Sequence, residues 1–170
     1  HWTPQMGTPQ GLTPRMPTTI PVNMMTTPSA PEMSFLGKQY RLGSYNQKSN
    51  AMWEFVPAGQ TVDNWRTMIT VIDRPDARGR QDMDRLAQGI MDNYKSHDGR
   101  VLLAKTLQTS KGEPYNYMVV AFKQEEQQRY ELNFVKIAMG PQNAVAVIYG
   151  ARVADPQDYA VKAKEFLDQN

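Results

Sequence analysis

The sequence predicts an α+β fold, in which an antiparallel sheet of about six to seven strands is packed by two main helices as an α/β/α sandwich. Short runs of alternating apolar and polar residues recur between residues 38 and 151, as in half-buried strands. Two longer stretches repeat apolar residues at helical spacing. These patterns place a single domain at residues 36–170, behind an extended low-complexity arm or linker at residues 1–35.

The arm is defined by its composition. It holds seven of the twelve prolines and two charged residues, Arg15 and Glu32. Proline removes amide donors and fixes φ, so an extended chain is expected. A flexible spacer is one interpretation, but the arm has more apolar side chains than a solvating linker needs. We therefore predict that seven of them bind partners: Met6, Leu12, Met16, Ile20, Val22, Met24 and Met25.

The domain begins with three predicted strands. The first is Lys38–Tyr45, where Gly43 is expected to form a bulge, and the second is Ala51–Val56. Thr61 is expected to cap a short helical turn before the third strand, Thr67–Asp73.

The clearest helix follows these strands. Its apolar residues fall on one face at a 3.6-residue period and run from Met83 to Tyr94. Gly99 is expected at its C-terminal cap. His97, the one internal histidine, is placed near the negative end of the helix dipole, which favours a structural role.

Four closely spaced strands are predicted next, over residues 101–108, 115–122, 130–139 and 144–151. Their short connections require antiparallel neighbours. The last of them is apolar on both faces, which predicts a central position in the sheet. Asp155 and the proline after it begin the second predicted helix, which buries Phe166 among others.

Composition excludes several kinds of site. The chain has no cysteine, so disulfides, thiolate zinc sites, iron–sulfur clusters and thiol catalysis are ruled out. A net charge of +2 does not indicate the basic surface that a nucleic-acid-binding domain needs. We find no catalytic set, no cofactor motif and no metal-ligand spacing. No run approaches the roughly 18 apolar residues of a membrane-spanning helix.

The stretch Trp53-Glu54-Phe55-Val56-Pro57, with Asn64-Trp65 and Met68-Ile69-Thr70-Val71 behind it, resembles PsbP-like and Mog-type α/β/α sandwich domains of small bacterial envelope proteins. The resemblance covers residues 36–170 and is one of pattern. It implies an accessory or interaction protein, and it carries over no catalytic residue because that fold has no shared catalytic motif.

We therefore expect a non-enzymatic interaction subunit of a bacterial cell-envelope assembly. The concrete hypothesis is an accessory component of an outer-membrane-associated secretion-system complex, with the arm docked on neighbouring subunits. The low-complexity start of the chain at His1 predicts a processed, periplasmic protein of a Gram-negative bacterium. A lipid anchor upstream of His1 is compatible with this prediction. The alternative is that the first residues are the remnant of an expression tag on a cytosolic protein. The alternative function is a periplasmic domain that binds a small or lipid-like ligand between sheet and helix.

Overall fold

The protein is built around one antiparallel sheet of eight strands. The computed structural model describes residues 32–47, 51–155, 161–163 and 166. The elements are β1 Glu32–Phe35, β2 Lys38–Gln47, β3 Ala51–Pro57, β4 Thr67–Arg74, α1 Arg80–Ser96, β5 Arg100–Gln108, β6 Pro114–Gln124, β7 Arg129–Met139 and β8 Ala144–Val153. In space the strands follow the order β1-β2-β3-β4-β8-β7-β6-β5.

The predicted α/β/α sandwich with six to seven strands and two main helices is wrong. The fold is mostly sheet, with eight strands, and α1 is the one long helix among the described residues. Of the second predicted helix, residues 161–163 and 166 are described and helical. The rest of that predicted helix lies outside the described residues.

The eighth strand, β1, lies in the stretch that composition assigned to the arm. Met33 and Phe35 are buried and the strand pairs with β2. Leu36 and Gly37 connect the two strands with φ angles of 50° and 75°. Positive φ at two consecutive residues is typical of a type I′ turn, whose twist matches the right-handed twist of the two strands in a β-hairpin. A strand of four residues directly behind a proline-rich run is too short to give a clear alternation signal.

Several sequence predictions about the sheet are confirmed. β5, β6, β7 and β8 are successive antiparallel neighbours, and β8 lies inside the sheet between β4 and β7. The register between β2 and β3 shifts between Leu42 and Ser44, which is the bulge expected at Gly43. The helical turn predicted after Thr61 is absent; residues 61–64 form a hydrogen-bonded bend in which the Thr61 hydroxyl accepts from the Asn64 amide at 3.0 Å.

Each face of the sheet carries a buried cluster of side chains. One, the aromatic face, carries a cluster that includes Trp53, Phe55, Phe134 and Tyr149, with Phe166 packed against it. The other, the helix face, receives the buried side of α1. Five side chains of α1 make that contact: Met83, Leu86, Ala87, Ile90 and Tyr94.

The C-terminal end of α1 lies unusually close to β6. His97 is the cap residue, and Asp98 adopts the left-handed conformation with φ of 64°, so the predicted glycine cap at Gly99 is wrong. Gly99 serves another purpose. A Cβ atom there would lie 2.7 Å from the Tyr94 carbonyl oxygen and 2.8 Å from the Phe122 ring. The glycine therefore permits the close approach that shapes one end of the helix face.

Candidate ligand-binding cleft

A cleft of about 290 Å³ opens on the helix face beside the C-terminal end of α1. It forms there because α1 packs mainly over β5, β6 and β7, and no other described helix or strand covers the sheet beyond its last turn. Its lining comes from five strands, the β3–β4 connection and the helix end: Glu54, Trp65, Met68, Thr70, Tyr94, His97, Phe122, Gln124, Glu131, Asn133, Ile148 and Gly150.

The floor of the cleft runs across the strands. Glu54 is the register partner of Thr70, and Thr70 is the partner of Ile148. In the neighbouring row Gly150 is the partner of Asn133. From β3 to β7 the floor spans three strand spacings, or about 14 Å. The cleft is therefore elongated, with Glu54 at one end and Asn133 near the other.

Trp65 forms the wall on the side of the β3–β4 connection and is 6% exposed. The Arg152 guanidinium lies 3.8 Å from the centre of its ring and also donates to its carbonyl oxygen at 3.0 Å. The Gln60 side chain accepts a hydrogen bond from the Arg66 amide at 2.7 Å, which fixes the connection. Gly150 lies under the ring, where an added Cβ atom would be 3.1 Å from Trp65 Cη2. The tryptophan thus closes over a strand position that has no side chain.

The opposite wall is formed by the end of α1 and by β6. The rings of Tyr94 and Phe122 lie 5.3 Å apart at 54°. Burial raises the pKa of Tyr94 well above its ordinary value, and the charge of Glu131 acts in the same direction, so the phenol stays neutral. His97 Nδ1 lies 2.9 Å from the Asn93 carbonyl oxygen, which ties the imidazole to its own helix.

Glu131 is a carboxylate with three side-chain partners. Arg152 Nε lies 3.7 Å from one of its oxygens, and Gln124 donates to that oxygen at 3.4 Å. Asn133 donates to the other oxygen at 3.1 Å. Since the amide nitrogen of Asn133 is used in this way, its oxygen points towards Gly150, 3.3 Å from the position of an added Cβ atom. This end of the cleft is neutralised and presents an acceptor.

Glu54 is the second carboxylate and has a different environment. It is half-buried on β3, its side chain accepts a hydrogen bond from Ser44, and among the described residues it belongs to no ion pair. Burial raises the pKa of Glu54, and the Ser44 hydrogen bond opposes that shift only in part. Within the described cleft lining, it is therefore the one carboxylate whose charge no neighbouring cation balances.

The seven predicted partner-binding residues, Met6 to Met25, lie outside the described residues. His97 is at the end of α1 as predicted, and it also lines the cleft. Residues 32–155, where described, contain no group of three or more histidines and carboxylates placed to hold a metal ion.

Sequence reasoning missed the cleft itself. Glu54 and Asn133 alternate with apolar residues on their strands, and such alternation is typical of any half-buried strand, so it gives no sign of a cleft. The signal that could have identified them is Gly150, a glycine inside an otherwise apolar strand, which indicates close approach by another group. Trp65 is that group.

Fold and site together define an antiparallel-sheet domain in which α1 covers part of one face beside a cross-strand cleft. A protein-family model matches residues 29–169, and the chain therefore belongs to that family. No PsbP or Mog family is detected, so the resemblance drawn from the Trp53–Val71 pattern is wrong. That pattern reflected strand order, and the mostly-sheet architecture lacks the two helical layers it implied. No curated protein matches the chain.

Proposed function

We propose that this protein is a non-enzymatic binding domain whose cleft holds a small, elongated and partly apolar ligand. The observation that carries the proposal is the cleft on the helix face, with aromatic walls and a few placed polar groups. Sites for small molecules combine these features, and a volume of about 290 Å³ is near the lower end of their usual range of roughly 300–1,000 Å³.

The polar groups lie at the ends of the cleft and the apolar ones in the middle. Met68, Ile148 and the glycine position 150 form the central floor, with the Trp65 ring beside them. Acceptor oxygens come from Glu54 at one end and Asn133 at the other. This order favours a ligand with an apolar body and at least one hydrogen-bond donor at its end.

The same geometry favours binding over acid–base catalysis. The backbones of Glu54 and Glu131 lie three strand spacings apart across the sheet, about 14 Å, and Glu131 is also displaced along β7 from Val135, the residue in the row of Glu54. Carboxylates that act as a pair on one bond lie roughly 5–9.5 Å apart. Glu131 is also occupied by Arg152, Gln124 and Asn133.

A cleft-filling variant tests this proposal. Gly150→Val would place a side chain against Trp65 and Asn133, inside the cleft. Gly89→Val is the matched control, because nothing lies within 4 Å of a Cβ atom at that exposed helical position. We expect small aromatic and aliphatic compounds that bind the native chain, detected by ligand-observed NMR, to bind the control and to lose binding to Gly150→Val.

Thermal unfolding of both variants first establishes that they are folded at the temperature of the assay. Binding that survives in folded Gly150→Val would place the ligand elsewhere and overturn the proposal. A native chain that binds no compound of the set would also count against it.

A second candidate function is the interaction subunit of an outer-membrane-associated secretion complex in the periplasm. The observation that favours an interaction role is β5, a nine-residue strand at the end of the sheet that pairs with β6 alone among the described residues. Its outer backbone groups suit addition of a partner strand, and Leu102, Leu103 and Leu107 are half-buried along it. Residues 1–28, most of the predicted docking arm, precede the family match.

This second proposal is tested in intact envelopes, by crosslinking and pull-down of the full chain beside a chain that lacks residues 1–28. We expect the full chain to capture large envelope proteins and the shortened chain to lose them. Equal capture by both chains would remove the arm from the proposal. Among the described residues no helix is long and apolar enough to cross a membrane.

A further inference from the structure

We propose that the cleft selects a ligand with a protonated amine, which Glu54 receives while the apolar body lies along Thr70, Ile148 and Gly150 towards Trp65. This inference rests on the binding function proposed above and specifies the class of ligand. It follows from the charge balance of the two ends of the cleft.

The end at Glu131 already contains its own cation. Arg152 lies 3.7 Å from Glu131 and covers one face of the Trp65 ring at 3.8 Å. A second cation placed there would face the guanidinium at short range and would have to displace it. An amine is therefore disfavoured at this end, although the aromatic ring would otherwise attract one.

The end at Glu54 has the opposite balance. The carboxylate is half-buried, and the one side-chain donor identified for it is Ser44. A carboxylate has two oxygens and accepts about four hydrogen bonds, so an ammonium group with three donors can be accommodated beside Ser44. Thr70, the cross-strand partner of Glu54, is 4% exposed and adds a hydroxyl next to that position.

Charge also excludes the other ligand classes. A carboxylate or phosphate at the Glu54 end would bring two like charges together in a partly dry site, which is unfavourable. A neutral ligand would leave the half-buried charge of Glu54 without a cation. A protonated amine supplies the missing cation and a charge-assisted hydrogen bond, which is about twice as strong as a neutral one.

The length of the cleft sets the shape of the ligand. From the Glu54 end to the strand that carries Gly150 the floor spans two strand spacings, about 9–10 Å. An amine carried on a chain that ends in a ring fits this distance, with the ring reaching the aromatic wall at Trp65. We therefore choose 4-phenylbutylamine as the probe and 4-phenylbutan-1-ol as its uncharged counterpart.

The test compares the two probes by isothermal titration calorimetry at pH 7 with the native full chain and with Glu54→Gln. Hydrogen bonds to charged groups are stronger than those between neutral groups, so we expect the amine to bind the native chain at least about tenfold more tightly than the alcohol. We expect Glu54→Gln to abolish that preference. Glu113→Gln is the matched control, since it removes the same charge from an exposed turn that does not line the cleft, and should keep the preference.

The outcomes separate this inference from the function on which it rests. Equal affinities for amine and alcohol, both lost in Gly150→Val, would overturn the amine selectivity and leave the binding function intact. An amine preference that persists in folded Glu54→Gln would also overturn it. If neither probe binds while other compounds bind in a Gly150-dependent way, the inference fails alone; if no compound binds, both fail.

Discussion

Glu54 is a residue that lowers the stability of the folded protein at a position where the proposed ligand site uses its charge. Its neighbours on β3, Trp53 and Phe55, are completely buried, and Glu54 itself lies on the face that forms the cleft. Burial raises the pKa of Glu54, which means that the folded protein holds this proton more tightly than the unfolded chain does. A charge retained there at neutral pH costs stability and is expected where a ligand later balances it.

This cost leads to a prediction about pH. Because the folded pKa of Glu54 is raised, the folded state binds more protons than the unfolded chain between the unfolded and folded pKa values, and stability falls as pH rises through that window. Glu54→Gln lacks this loss. We expect the variant to melt at a higher temperature than the native chain at pH 7, and the difference to shrink as the pH approaches 4.

Thermal unfolding at several pH values, without ligand, measures this effect. Glu113→Gln is the control, because its side chain is exposed and should give no gain that depends on pH. A difference between Glu54→Gln and the native chain that stays constant from pH 4 to pH 7 would contradict the prediction.

Residue patterns in the sequence predicted the buried sides of α1 and of several strands, but they could not show which polar groups face inward. Lys136 shares its side of β7 with Phe134 and is 4% exposed, with its ammonium 4.4 Å from the Tyr115 ring centre. Burial lowers the pKa of Lys136 to about 8. Asp73 and Asn143 are likewise buried and bonded to each other across 70 residues of sequence. Such pairs depend on tertiary contacts, which local alternation cannot show.

At the scale of elements, one glycine lies inside α1 and another lies just after its C-terminal end, and their surroundings differ. Gly89 is exposed inside the helix, with nothing within 4 Å of an added Cβ atom. Gly99 is pressed against the Tyr94 carbonyl and the Phe122 ring. Replacing each glycine by alanine therefore measures two different effects on stability, helix propensity at position 89 and close packing at position 99.

We expect Gly89→Ala to stabilise the protein by about 0.5–1 kcal/mol, because alanine loses less backbone entropy in a helix. We expect Gly99→Ala to destabilise it by about 1–3 kcal/mol, because the methyl group forces the helix end away from β6. Urea denaturation of both variants gives the two free energies of unfolding. Changes of the same sign would show that Gly99 is not held by a close contact.

The elements predicted from sequence were those with a long, regular pattern. α1 and seven strands were placed correctly within a few residues, whereas β1 was missed and the helical turn after Thr61 did not form. β1 is stabilised by its pairing with β2 and by the burial of Met33 and Phe35. Both are contacts with the rest of the sheet, and a four-residue strand contains too little sequence to reveal them.

At the scale of the whole molecule, the two ends of the described chain meet on the aromatic face. Phe35 of β1 lies 5.2 Å from Tyr149 and 6.0 Å from Phe166. Phe166 also contacts Phe134 and Tyr117, each at 6.2 Å between ring centres. Of the predicted second helix, residues 161–163 and 166 are described, and Phe166 is the large side chain that packs on the aromatic face. The sequence identified Phe166 as buried but could not show that β1 would share its contacts.

This arrangement predicts that stability and ligand binding depend on different faces of the sheet. Phe166→Ala would remove a ring that is 4% exposed and contacts four aromatic neighbours, and we expect it to lower the free energy of unfolding by about 3–5 kcal/mol. Val161→Ala, at a helical position that is 65% exposed, should change it by less than about 0.5 kcal/mol.

Urea denaturation measures both variants, and calorimetry with 4-phenylbutylamine is then done below the melting temperature of Phe166→Ala. Since the cleft residues project from the helix face and Phe166 packs on the aromatic face, the affinity of the folded variant should equal that of the native chain. A small stability loss would mean that β1 closes the aromatic face without Phe166. A large loss together with weakened binding would mean that the sheet transmits strain from one face to the other, so that the two layers fold and bind as one unit.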